Sequence, residues 1–416
     1  MAKDLKFTKE ILDNGLTLVV VEEENSPTVT VTTIYKVGSK NEHPEHTGFA
    51  HLFEHLMFGG SKNITNFDKE LEKIGGSCNA FTAQDYTNYY TRALASNLEV
   101  LLWLESDRML ELKLDQKRLD VQKGVVIEEF KERYLNSPYG DYWLEVYPLV
   151  FGENNAYGWH VIGKSLEDIK KSNLDDVRDF FYTFYRPDNA ILAIAGGVDT
   201  KETIELVKKW YSDIPKAKKQ SYEVGKPQPI KGIKTKTVYS DVPNDALGIF
   251  FNAPSVRDKD YFSFQILIEI LGGRSTAVLP YTLVKEKELC ISFGVDEFEH
   301  LDLNALCLTT TINSNANISQ VEDEIWTILK KVSDLITQEE LDRTINNKLF
   351  AKEYGLMTNL AKANMIAFYE LIGDIDRINN FYDMYKKIKL NDVKDLANRI
   401  ISEQNYAVLY YRAQNA

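Results

Sequence analysis

HLFEHLMFGG (residues 51–60) in the first half of the chain, with its weak echo ILIEILGGR (266–274) in the second, decides how the fold is read. A helix is expected from about Gly48 to Phe58, closed by the Gly59-Gly60 turn. On that helix His51 and His55 share a face and Glu54 lies beside them, so both imidazoles can hold one metal while Glu54 reaches its bound water. Six histidines and 62 acids in 416 residues give only about 0.013 HxxEH pentads by chance, so composition alone does not produce the pattern.

Two histidines leave a zinc site one protein ligand short. The helical stretch VVIEEFKER (125–133) offers Glu128 and Glu129, which point about 100° apart, so only one can face the metal. Glu129 shares its face with Gln122, Val125 and Val126, an inward-looking set, whereas Glu128 sits with Lys131 and Glu132. Glu129 is therefore the expected third ligand.

Outward from this motif the chain mixes strands and helices without strict βαβ alternation, which favours an α+β class. An Asn14-Gly15 turn precedes the strand 16–21, and a second strand covers 28–37. A helix running from an Asn66 cap to Gly75-Gly76 leads into strands at 77–83 and 88–93, then long helical patterns at 98–109 and 119–134. The strand 189–195 and a helix from about Asp199 follow.

Residues 215–234, with Pro215, Pro227, Pro229 and a run of lysines, read as a linker between a catalytic zinc-binding domain (1–214) and a homologous non-catalytic domain (235–416). Aligning Glu54 with Glu269 puts Ile266 opposite His51 and Ile270 opposite His55. NAILAIA (189–195) and NYAVLYY (405–411) also correspond. Both domains are expected to carry a mainly antiparallel sheet packed against helices, and only the first retains polar chemistry.

The net charge of −13 argues against a nucleic-acid or anionic-membrane surface. Cys78, Cys290 and Cys307 lie far apart without CxxC spacing, which fits a reducing compartment and structural burial. The N-terminal MAKDLKFTKEIL lacks an apolar h-region and no stretch approaches eighteen apolar residues, so a cytoplasmic protein is expected. The aromatic stretch NSPYGDYW (136–143) fits either a chamber lining or core packing.

The stretches HTGFAHLFEHLMFGG (46–60), GGSCNAFTAQDYTNYY (75–90), VVIEEF (125–130) and FYRPDNAILAIAGGVD (184–199) resemble the pitrilysin/insulinase metallopeptidases. This inverted-zincin group includes the mitochondrial processing peptidase and short bacterial members. The resemblance implies one Zn2+ per chain on His51, His55 and Glu129, with Glu54 activating the water that attacks a peptide carbonyl. It also implies two similar domains per chain, four of which enclose a chamber when chains dimerise, and a strand over 77–83 whose Asn79, Ala80 and Phe81 bind the substrate backbone.

Two departures from that family pattern matter. Gln122 stands where relatives usually carry a second Glu seven residues before the ligand, which puts rate in doubt and leaves metal binding intact. In the second half, relatives carry an Arg and a Tyr in a stretch like LRxxxGLxYS; here LVKEKELCIS (283–292) has Val284 and Ile291, which cannot donate to an oxyanion. The expectation is a zinc-bearing subunit of a heterodimer whose homologous partner supplies the Arg/Tyr pair. A non-catalytic scaffold subunit and a metal hydrolase of non-peptide substrates are the competing readings.

Overall fold

A computed structural model of the chain describes residues 4–217, 225–401 and 404–414. Two compact units emerge, and the chain does not divide between them at a single point. The first takes the described residues of Met1–Lys131, Trp159–Val224 and Lys352–Asn380. The second takes those of Glu132–Gly158, Gly225–Ala351 and Phe381–Ala416. The middle of the expected linker, 218–224, lies outside the described residues.

The first unit is built on strands β1 (Thr8–Ile11), β2 (Thr17–Glu22), β3 (Thr28–Tyr35), β4 (Ser77–Thr82), β5 (Thr87–Leu94) and β6 (Ala190–Gly196). Their order is β1-β2-β6-β3-β5-β4, with β2 and β6 parallel and every other pair antiparallel. The β1–β2 hairpin turns at Gly15, whose φ of +88° suits glycine, and a Cβ there would meet the Asp188 Cβ at 2.7 Å. β6 reads AILAIAG and is buried throughout, the unbroken apolar run of a central strand. At the other edge β4 alternates exposed and covered positions and, among the described residues, has no strand paired to one side of its backbone.

Four helices of this unit carry or support the site: α1 (Phe49–Leu56), α2 (Phe67–Lys73), α3 (Leu98–Leu110) and α4 (Gln116–Phe130). Asn66 caps α2 and Asp115 caps α4, each accepting an N–H from the third residue of its helix. The pattern expected to run from 119 to 134 as one helix instead passes from α4 into a wide turn at Lys131–Leu135. The helix Asn359–Leu371, from far along the chain, lies on β3 and β6. There Asn364 Oδ1 accepts from Thr32 Oγ1 at 2.9 Å and Asn88 Nδ2 at 3.2 Å.

The second unit has strands β7 (Ile233–Ser240), β8 (Ala246–Ala253), β9 (Cys290–Glu297), β10 (Asn304–Ile312) and β11 (Tyr406–Ala413). Their order is β7-β11-β8-β10-β9, again with one parallel pair, β7 and β11. Setting β1 aside, this is the connectivity of the first sheet, with β11 in the place of β6 and the helix Tyr261–Gly272 following β8 as α1 follows β3. The chain is thus α+β, with two domains of like topology. Ile266 and Ile270 are fully buried where the first unit carries its histidines, and Glu269 pairs with Lys348 at 2.9 Å. The NSPYGDYW stretch resolves as core packing, since Tyr142 is buried and Tyr139 and Trp143 lie against the same apolar cluster.

Candidate metal centre

α1 is amphipathic in a way that sorts its chemistry. Phe49, Ala50, Leu52, Phe53 and Leu56 are buried, and Phe53 stacks on Tyr185 with ring centroids 5.0 Å apart. His51, Glu54 and His55 occupy the opposite, half-buried face. The His51 and His55 rings lie 4.9 Å apart and nearly perpendicular.

Glu129 reaches this face from α4. Its Oε2 is 3.8 Å from His51 Nε2 and 3.5 Å from His55 Nε2. Among the described residues, these three form the group of His, Cys, Asp and Glu side chains able to hold a metal ion, with ligand atoms all within 4.8 Å of one another. Tetrahedral zinc with bonds of about 2.0–2.1 Å separates its ligand atoms by about 3.4 Å, so the group fits the ion with small side-chain adjustments. Glu128 points away and pairs with Lys131 at 2.7 Å. The face expected to look inward does so only in part: Val126 is buried, whereas Val125 is 46% exposed. Gln122 is half-buried on the same helix.

Several contacts hold α1 and α4 in place. Arg118 of α4 donates from Nε to the Gly59 carbonyl at 2.9 Å, tying α4 to the turn that ends α1. Asp107 accepts from Asn63 N at 3.0 Å and Asn63 Nδ2 at 2.6 Å, fixing the loop after that turn. At the other end of α1, Gly48 has φ +88°, and a Cβ there would lie 2.7 Å from the Ile162 carbonyl oxygen. No side chain at that position caps the helix.

Glu42 supplies the cap instead. Its fully buried carboxylate accepts from Gly48 N at 2.9 Å, Ala50 N at 2.8 Å and Trp159 Nε1 at 2.8 Å. Burial pushes the Glu42 carboxyl up to about 8, opposed by these three donors and reinforced by nearby Asp168. The positive end of the α1 dipole also favours the charged form and so opposes that rise. Thr47, bonded to Asp168 Oδ2 at 2.6 Å and to Lys164 N at 2.8 Å, braces the same loop.

Glu54 accepts from Thr82 Oγ1 at 2.6 Å, and the Thr82 N–H also faces it. Burial raises its carboxyl above the ordinary range, with the Thr82 hydroxyl pulling the other way. Thr82 ends β4, so the carboxylate beside the metal-binding group is fastened to the free edge of the sheet. On that edge Asn79 and Phe81 are exposed and Ala80 is buried, with the Ala80 N–H donating to Asn79 Oδ1 at 2.8 Å. Cys78 is half-buried on the same strand, whereas Cys290 and Cys307 are buried.

Sequence reasoning missed Glu42, Trp159 and Thr82. Each is an ordinary residue type whose role arises from a partner distant along the chain, and local spacing carries no mark of it. His43 and His46, by contrast, pair with each other in a short bridge and take no part in the ligand group.

Residues 18–137 match the family model for insulinase, peptidase family M16, and residues 171–348 match the model for the M16 inactive domain. The chain is 28% identical over 414 residues to the zinc protease PqqE of Helicobacter pylori, covering 98% of this chain and 93% of that one. It is 26% identical over 277 residues to the mitochondrial-processing peptidase subunit beta of Saccharomyces cerevisiae, covering 64% and 58% respectively. The crystal structure of a protease from Helicobacter pylori superposes with a TM-score of 0.91 at 27% identity, covering 98% of this chain and 99% of that one. On the family models, the relatives and the shared architecture together, this chain belongs to the insulinase family, peptidase family M16.

Proposed function

We propose that the chain is a zinc-dependent endopeptidase for short or unfolded peptides, with His51, His55 and Glu129 as metal ligands and Glu54 as general base. The observation that carries this reading is the convergence of the three ligand atoms from α1 and α4, with a partly desolvated carboxylate on the same helical face. Zinc in such a set of three keeps a fourth position for water and lowers that water's pKa to about 7. Glu54 takes the proton of the attacking water and returns it to the departing amine, a transfer for which burial and the Thr82 hydroxyl hold it ready. The peptide lies along the free edge of β4, where backbone pairing at Asn79, Ala80 and Phe81 recognises an extended chain with little regard for side chains.

Oxyanion stabilisation is the part this chain does not supply at the expected positions. Val284 packs on the apolar cluster of the second unit, and Ile291 is 54% exposed without a donor to offer. The chain therefore acts with a homologous subunit that brings an Arg/Tyr pair, a reading supported by its similarity to a protein named as one subunit of a processing peptidase. Three free thiols support a cytoplasmic setting.

The test is metal content and hydrolysis of an internally quenched peptide of mixed sequence, for the chain alone and with a homologous subunit. About one zinc per chain and activity only in the mixture is the expected result. Full activity of the chain alone overturns the divided site, and a chain that binds no zinc turns the reading toward a scaffold subunit.

A further inference from the structure

Thr82 lies outside the group His51, His55 and Glu129, yet its Oγ1 donates to Glu54 Oε2 at 2.6 Å. Its place in the ladder gives that bond a second consequence. Ala83 N donates to Tyr86 O at 2.8 Å, which closes the β4–β5 hairpin and fixes the alternation behind it. In an antiparallel ladder the paired positions then fall at Phe81–Asn88 and Asn79–Tyr90, and the N–H groups of Thr82, Ala80 and Cys78 point to the open edge. The outermost of these, the Thr82 N–H, already faces Glu54.

We propose that Thr82 is the positioning residue of Glu54: its hydroxyl and N–H hold the carboxylate and fasten it to the strand on which a peptide is laid, so that backbone pairing and proton transfer share one register. This rests on the peptidase reading above. A peptide added to β4 can form the full two-bond pair at Cys78 and Ala80 but not at Thr82, whose outward N–H is taken by Glu54 and which has only its carbonyl left to offer. The last complete backbone pair therefore forms at Ala80, two residues or about 7 Å along the strand before the Thr82 that holds Glu54. The bond to be cut is the one carried past Thr82, and its distance from the last paired residue is built into the edge. Ala80 makes the same point from the other side, because its outward N–H is held by Asn79 Oδ1, a local bond that a peptide carbonyl can replace.

The experiment compares Thr82→Val and Thr82→Ser in the full chain with zinc, alone and mixed with a homologous subunit. Valine keeps the branched shape and the strand preference of threonine and puts a methyl group, which cannot donate, where the hydroxyl was. T82V is expected to bind zinc and melt like wild type, and to lose about 10- to 100-fold in kcat on the quenched peptide with KM within about twofold. T82S restores the hydroxyl and most of the rate. Equal kcat in wild type and T82V, or a loss in T82V that T82S shares, overturns the proposal.

If the zinc-loaded wild type cleaves no peptide in either setting, it is the peptidase reading that fails. Thr82 is then judged on the cobalt-loaded chain by its affinity for a peptide hydroxamate, which gives a proton to a neighbouring carboxylate as it binds the ion. About tenfold weaker binding in T82V, recovered in T82S, upholds the positioning role, and unchanged binding overturns it. A chain that takes up neither ion overturns both.

Discussion

Glu42 is a buried carboxyl group whose protonation ties stability to pH. In the unfolded chain its carboxyl releases a proton near 4.5, and in the folded chain burial delays that release to about 8. Between those values the folded state holds a proton that the unfolded state has lost, so the stability from this group is fully present below about 4.5 and is lost as pH rises through about 8. Urea midpoints measured at about pH 6 and about pH 9 should fall for wild type and stay level in that respect for Glu42→Gln, which cannot titrate. The variant should also start lower, because its amide turns an N–H toward one of the donors from Gly48, Ala50 or Trp159. At the metal-binding face, Glu54→Gln is expected to retain zinc and lose about 10²- to 10⁴-fold in peptide hydrolysis, whereas Glu129→Gln should lose zinc itself, as read by metal analysis after gel filtration. His51, Glu54 and His55 were legible from spacing alone because a helix fixes which of its own residues share a face. Glu129 needed a choice between neighbours. Glu42 and Thr82 were illegible because their partners come from other segments.

At the scale of elements, the free edge of β4 and the helix over β3 and β6 make separable predictions. Ala80→Pro removes an N–H that points to the open edge and spares the ladder to β5, so the fold should persist. Peptide affinity should fall about tenfold or more, read as a raised KM, while zinc content stays at the wild-type level. Asn364→Ala strips the shared acceptor from Thr32 and Asn88 inside the first unit, and should cost about 1 to 3 kcal/mol in urea unfolding without a change in KM. Most strands and helices were readable, since period-2 and period-3.6 patterns, Asn-Gly turns and polar caps are local signals. The membership of 132–158 in the second unit and of 352–380 in the first was not, because nothing in a segment's own pattern says which sheet it will cover.

For the molecule as a whole, a ligand that binds only the folded state stabilises it in proportion to its excess. Zinc at about a thousandfold excess over its Kd adds about 4 kcal/mol, so the Tm should rise on zinc addition and fall with a chelator. In the His51→Ala variant the shift should vanish. Among the described residues no helix is long and apolar enough to cross a membrane. The two sheets share one connectivity once β1 is set aside, and where the first unit carries His51 and His55 the second carries buried Ile266 and Ile270, so the second half has the architecture without the polar chemistry.

The crossing of segments between units bears on how the chain is made. Synthesis runs from the N-terminus, and domains that are contiguous in sequence can fold in turn as they leave the ribosome. Here the helix that covers β3 and β6 is not translated until residue 371, and the last residues of the first unit not until 380. The half with the candidate metal-binding group must therefore wait, with one face of its sheet uncovered, until nearly the whole protein has emerged. Nascent chains stalled before residue 359 should remain protease-sensitive in their first 200 or so residues, although those residues already contain His51, His55 and Glu129, the group able to hold a metal ion.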